Sequence, residues 1–231
     1  MSAPGVTPPP SSAADLLLPV GHSLGLGDQG AVEVRLGASV EELPLEEFSL
    51  WALAHGDPDG GDEPWGADRV LAAAEQAGLA DAGTHLDTLE QRGLLVRATP
   101  GEASARALAD RVRLLPLALG LGNTRVQPQV YRLGRSGEVL AVGSSTTYDL
   151  VTWAHMETSL WRACVASGAV AARAGATDPG LVDPDELLTG LLSTLHPLLS
   201  TGTVCLDTWG WRRDPAAAGR PRPRPVPPRT R

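Results

Sequence analysis

The sequence predicts an α+β protein made of two similar units arising from an internal duplication, with a disordered amino-terminal end and a disordered Arg/Pro-rich carboxy-terminal end. Three observations carry that prediction. Five short motifs recur in the same order in the two halves of the chain. Within each half, runs alternating at period two precede stretches of helical periodicity and then a short apolar run. The ends differ from everything between them: residues 1–14 are rich in Pro, Ser and Ala, and residues 212–231 alternate Arg with Pro. Such segments bury too little apolar surface to offset ordering entropy, and the tail reads as an extended polyproline-like arm.

The repeat runs as follows. Leu17-Leu18-Pro19 precedes Leu24-Gly25-Leu26-Gly27, as Leu114-Leu115-Pro116 precedes Leu119-Gly120-Leu121-Gly122. A strand-like run ends in Arg35-Leu36-Gly37 and again in Arg132-Leu133-Gly134. Phe48, Leu50, Ala54 and His55 recur with the same spacing as Tyr148, Leu150, Ala154 and His155. Leu86, Leu89 and Gly93 recur as Leu195, Leu198 and Gly202.

In the first unit Val32, Val34 and Leu36 mark a half-buried strand. Pro44 opens a helix, Glu46 and Glu47 favour its positive end, and it runs to His55. Residues 56–61 break the chain with Gly, Asp and Pro. Helices follow near 66–77 and 83–92, stopped by Gly78 and Gly93, and then the strand Leu94-Leu95-Val96. A helix near 102–114 joins the units. The second unit has strands near 130–134 and 138–142, and helices near 146–155, 157–173 and 184–200, the last kinked or shortened by Pro197. Val204-Cys205-Leu206 closes it. The Gly-rich stretch around residues 21–30 is expected to be an irregular turn.

Strands, three helices and a returning strand outline a winged helix, and Asp87-Thr88-Leu89-Glu90-Gln91-Arg92-Gly93-Leu94-Leu95-Val96 resembles the end of the recognition helix and first wing strand of bacterial winged-helix regulators. Two leucines three apart seat such a helix, and Gly ends it with positive φ. The resemblance covers about residues 32–98 and, more faintly, 130–208. It implies winged-helix-like units at 15–99 and 117–211, a linker helix at 100–116, a disordered head at 1–14 and a basic tail at 212–231. It implies a fold more than a function.

Charge and composition narrow the function classes. The positive charge is all Arg; Lys and Ile are absent, the bias of a GC-rich bacterial coding sequence. Residues 1–99 hold 16 Asp and Glu against 4 Arg, residues 100–211 hold 10 against 8, and residues 212–231 hold 7 Arg against Asp214. An acidic body repels nucleic acid and anionic lipid, whereas the tail attracts either. Cys164 and Cys205 are too few for a disulfide framework, a single bridge between them remaining an alternative. The longest apolar stretch, 114–121, is far short of a bilayer span, and no basic residue precedes Arg35. A cytoplasmic protein is the expectation.

Several chemical motifs fail on context. Gly21-His22-Ser23-Leu24-Gly25 matches the G-x-S-x-G elbow of serine hydrolases, but no buried sheet precedes it and no stable helix follows. Gly25, Gly27 and Gly30 match G-x-G-x-x-G, yet a strand rather than a helix comes next, so no phosphate cradle forms. The five His residues lack metal-ligand spacing, and His55 and His155 read as inherited helix-end residues. Asp57, Asp59, Asp62 and Glu63 resemble a calcium loop only in composition. Trp51 and Trp153 are assigned to the core. No catalytic, cofactor-binding or metal-binding residue is assigned.

The leading expectation is a non-enzymatic adaptor or regulator that binds a protein or peptide. Its candidate contacts are Thr84, His85, Asp87, Thr88, Gln91 and Arg92 on the third helix, with Trp209 and Trp211 beside the closing strand. The alternative is a DNA-binding transcriptional regulator whose tail touches phosphates through Arg212, Arg213, Arg220, Arg222, Arg224, Arg229 and Arg231. A serine hydrolase using Ser23 is the remote third.

Overall fold

An uninterrupted apolar run, Leu16-Leu17-Leu18-Pro19-Val20, sets the plan of the described part of the chain. The computed structural model describes residues 15–27, 30–58 and 63–209. Strand β1 (Leu16–Pro19) is buried throughout and pairs antiparallel with β5 (Leu95–Ala98), Leu16 facing Ala98 and Pro19 facing Leu95. Between them in sequence lie a meander, β2 (His22–Leu26), β3 (Val32–Leu36) and β4 (Ser39–Leu43), and three helices, α1 (Leu45–Leu53), α2 (Ala67–Gln76) and α3 (Ala82–Arg92). Gly93 ends α3 at φ 72°, and the amide of Leu94 donates back to Leu89 O.

The second half begins with α4 (Ala103–Arg111), which runs straight into β6 (Val112–Pro116). A second meander, β7 (Leu119–Gly122), β8 (Tyr131–Arg135) and β9 (Glu138–Gly143), leads to α5 (Ser145–Trp153) and a 3-10 turn at Ala154–Met156. Then come α6 (Leu160–Arg173), α7 (Pro179–Val182), α8 (Pro184–Ser193), α9 (Leu195–Ser200) and β10 (Val204–Thr208), which pairs antiparallel with β6. Ser144, Ser159, Asp178 and Asp183 cap α5, α6, α7 and α8, each side chain accepting from an amide in the first turn. The result is a mixed α+β chain with small sheets.

Several elements differ from the sequence-based expectation. Residues 22–26 form a strand, not an irregular turn: the register slips between Ser23 and Gly25, and Gly25 at φ 101° absorbs the extra residue as a bulge. The connecting helix stops at Arg111, because Val112 and Leu114 alternate into the core while Arg113 faces out, a strand pattern. The helix expected over 184–200 breaks at Thr194. Pro197 has no amide to donate to Ser193 O, so the chain restarts as α9 with the proline in its first turn. β5 does not turn back through a wing; it pairs with β1 and the chain enters α4.

Two apolar cores share β1. Leu17 joins Val34, Leu43, Leu50, Trp51, Leu86 and Leu89 in the first-half core. Leu16, Leu18 and Val20 point the other way and join Leu108, Leu114, Leu150, Leu160, Leu191 and Leu206 in the second. Val20 forms a parallel bridge with Leu206, and the Gly21 amide donates to Leu206 O at 2.7 Å. Next to it the buried Asp207 carboxylate accepts from the Gly37 amide at 2.6 Å and pairs with Arg35 at 3.3 Å.

Because one strand serves both cores, damage on either face spreads to the whole molecule. Leu17→Ala and Leu18→Ala are each expected to cost about 2–5 kcal/mol. Both variants should melt in a single calorimetric transition; two separated transitions in either would show that the halves are energetically independent.

Candidate functional site

The third-helix face is only partly open to a partner. On α3, Thr84, Asp87 and Gln91 are exposed, while His85, Thr88 and Arg92 are half-buried. The Thr88 hydroxyl donates to Thr84 O within the helix. Arg92 is consumed by the fold: its guanidinium meets Glu47 at 2.7 Å and Glu41 at 3.0 Å and donates to Glu42 O. The one cation of the face thus staples α3 to β4 and α1. Trp209 is 58% exposed and lies over the Arg113 guanidinium, 4.5 Å from its ring centroid. Trp211 and the tail arginines Arg212, Arg213, Arg220, Arg222, Arg224, Arg229 and Arg231 lie outside the described residues, as do Asp59 and Asp62.

The G-x-S-x-G residues serve the sheet. Gly21 has φ 110°, and a Cβ there would fall 2.7 Å from a Val34 methyl and 2.8 Å from Arg35 O. The Ser23 hydroxyl accepts from the Gly25 amide at 3.4 Å, across the bulge. Gly21→Ala is therefore expected to destabilise by roughly 1–3 kcal/mol through backbone strain, whereas Ser23→Ala should be nearly neutral. Denaturant melts of the two variants check this, and stoichiometric fluorophosphonate labelling of Ser23 would restore the hydrolase reading.

The histidines divide by burial. His55 follows α1, its Nδ1 lies 3.0 Å from Trp51 O, and its ring meets Trp51 edge-on. Burial lowers its pKa. His155 sits in the 3-10 turn after α5, and its Nδ1 is buried without a hydrogen-bond partner among the described residues. His196, on α9, reaches across to β1, where its Nε2–H donates to Leu17 O at 3.1 Å. Burial pushes the His196 pKa from 6.5 down to about 4. The thiols of Cys164 and Cys205 are free and buried, and burial pushes them up to about 12 and about 11, so both stay protonated and unreactive. No group of three His, Cys, Asp or Glu side chains among the described residues is placed to hold a metal ion.

The His196 shift makes stability pH-dependent. Between 6.5 and about 4 the unfolded chain binds a proton that the folded chain refuses, so this contribution is complete above pH 6.5 and is lost as the pH falls toward 4. The loss approaches roughly 3 kcal/mol, and His55 acts in the same direction. His196→Gln keeps an amide donor for Leu17 O. It should flatten the stability curve between pH 6.5 and 4, as read by urea melts at stepped pH.

An apolar groove of about 570 Å³ lies elsewhere, bounded by α5 and its 3-10 turn on one side and by α6 and α7 on the other. Much of its lining is small: Ala163, Ala166, Ala171, Ala174 and Ala176. Trp153, Met156 and Val170 rise from its edges, 63%, 72% and 58% exposed. Asp149 and Glu157 line the same groove, and neither has an ion-pair partner among the described residues. Burial raises the Asp149 pKa. Gly168 lets the short α7 lie close against α6, since a Cβ there would collide with the Val182 carbonyl.

The groove corrects the core assignment of Trp153. Aligning Tyr148 with Phe48 sets Val151 opposite the buried Trp51, and Val151 is indeed buried. Trp153 falls opposite the half-buried Leu53, at the helix end, where no neighbouring element covers it. Both tryptophans lie inside helices beside the repeated aromatic, but Trp51 stands three residues after Phe48 and Trp153 five after Tyr148, and that difference in offset separates them.

No family model matches this sequence, and no curated protein or solved structure matches it either.

Proposed function

We propose that this chain is a non-enzymatic adaptor, built from two related α+β halves, that binds a protein or peptide partner. The observation that carries the reading is the groove between α5 and α6: a Trp, a Met and a Val stand exposed in a groove lined otherwise largely by alanines. Contiguous apolar surface rimmed by polar groups marks interaction sites, and a narrow groove with an aromatic wall suits an extended or helical peptide.

Two related halves are supported by their parallel plans. Each has an antiparallel strand pair that encloses a three-stranded meander followed by helices. Phe48 and Tyr148 sit on the helix after the meander, His55 and His155 just past its end, and Gly93 and Gly202 at positive φ before the closing strand. Duplex reading through α3 is disfavoured because its one Arg is held by Glu41 and Glu47. The α8 end contributes Asp185 and Glu186 and no cation.

Val170→Glu places a charge in the groove at an exposed helix position, so stability should change by no more than about 0.5 kcal/mol. Capture of host proteins on immobilised protein, with nuclease present, should lose its specific bands in this variant and retain them in Gln91→Ala. Bands that survive Val170→Glu but vanish in Gln91→Ala would move the binding face to α3. Tight, sequence-selective duplex binding in anisotropy titrations at two salt concentrations would make the regulator reading the answer. A steep salt slope near −5 without sequence preference reports only about six tail phosphate contacts.

A further inference from the structure

We propose that the occupant of the α5–α6 groove in the resting protein is the chain's own Arg/Pro segment, residues 212–231, which thereby regulates access to the site. The proposal rests on the groove being the partner-binding face, and three observations select this occupant.

The first is position. The last described residue, Trp209, lies over Arg113, and Arg113 donates to the carbonyls of His155 and Glu157. Glu157 lines the groove. The chain therefore leaves the described structure beside the groove's lip. From Trp209 to Arg220 the chain spans at most roughly 36–40 Å when extended, so reach sets no obstacle.

The second is charge. Asp149 and Glu157 face the groove without ion-pair partners among the described residues, and the segment carries seven Arg against one Asp. The third is shape chemistry. Proline-rich segments dock in grooves walled by aromatic side chains, because their fixed φ leaves little entropy to lose. Here Trp153 and Met156 form such a wall, and Arg220-Pro221-Arg222-Pro223-Arg224-Pro225 alternates a ring with a cation. Tethering supplies an effective concentration near the millimolar range, so weak contacts suffice to hold the segment. An external peptide of the same chemistry then competes for the groove rather than finding it open.

The test uses the full chain. Cys164 and Cys205 are buried, so a Val226→Cys variant takes a nitroxide label at the added thiol alone. Amide peaks from residues 145–157 and 166–171 should lose intensity in the labelled protein. The loss should be unchanged on dilution and should be relieved in an Asp149→Asn, Glu157→Gln background and in high salt. Undiminished peaks in that region would overturn the proposal. So would intensity loss appearing only when isotope-labelled, spin-free chain is mixed with spin-labelled chain, because the segment would then be occupying a second copy. The outcome is separable from the adaptor reading. Broadening that persists while partner capture ignores Val170→Glu keeps the docked segment and removes the adaptor reading. Absent broadening with capture lost in that variant does the reverse.

Discussion

The molecule depends on a strand that is apolar on both faces. Alternation along a strand sends successive side chains to opposite sides, and in most sheets one of those sides meets water. β1 meets none. Leu17 fills one core while Leu16, Leu18 and Val20 fill the other, so the uninterrupted leucine run is a requirement of its place rather than a compositional accident. Polar pins lock the strand's surroundings together: Asp207 holds Arg35 and the Gly37 amide, and His196 donates to Leu17 O. Each pin joins one half of the chain to the other, and each is buried on at least one side, where a lost partner leaves an uncompensated polar group.

Much of the element order was legible in the sequence because the rules involved are local. Period-two runs gave β3, Glu46 and Glu47 marked the start of α1, and Gly93 stopped α3 in the left-handed conformation that only a residue without Cβ adopts easily. The failures lie where long-range pairing overrides local composition. Gly25 and Gly27 look like turn residues, yet β3 offers a ladder that a bulged, glycine-containing strand can join. The residues before Val112 are good helix formers, so the helical pattern runs on through it, and its strand partner β10 lies about ninety residues on and leaves no mark nearby. Leu94-Leu95-Val96 was identified as a strand, but its partner is β1 and not a following wing.

The candidate site was less legible than the fold. α3 drew notice through its polar residues, and nothing in the local sequence shows that Arg92 is already engaged by two carboxylates brought from β4 and α1. The groove arises from what α6 lacks: a run of Ala, Ser and Gly reads as unremarkable helix, and becomes a concavity only when α5 ends beside it with Trp153 and Met156 uncovered. Small residues say little about a site until the walls around them are placed.

The sharing of β1 also bears on the order of assembly. This strand is the first of the described elements in chain order, yet Val20, just past it, meets Leu206 near the other end of the described residues. Contacts so distant in sequence form late, because loop-closure entropy is lost before they return any energy. Until β10 arrives, Leu16, Leu18 and Val20 have no second core to enter, while Leu17 can already be covered by its own half. A nascent chain paused between the halves therefore exposes one apolar face of a strand whose other face is covered, the kind of intermediate that chaperones bind and that aggregates when they do not.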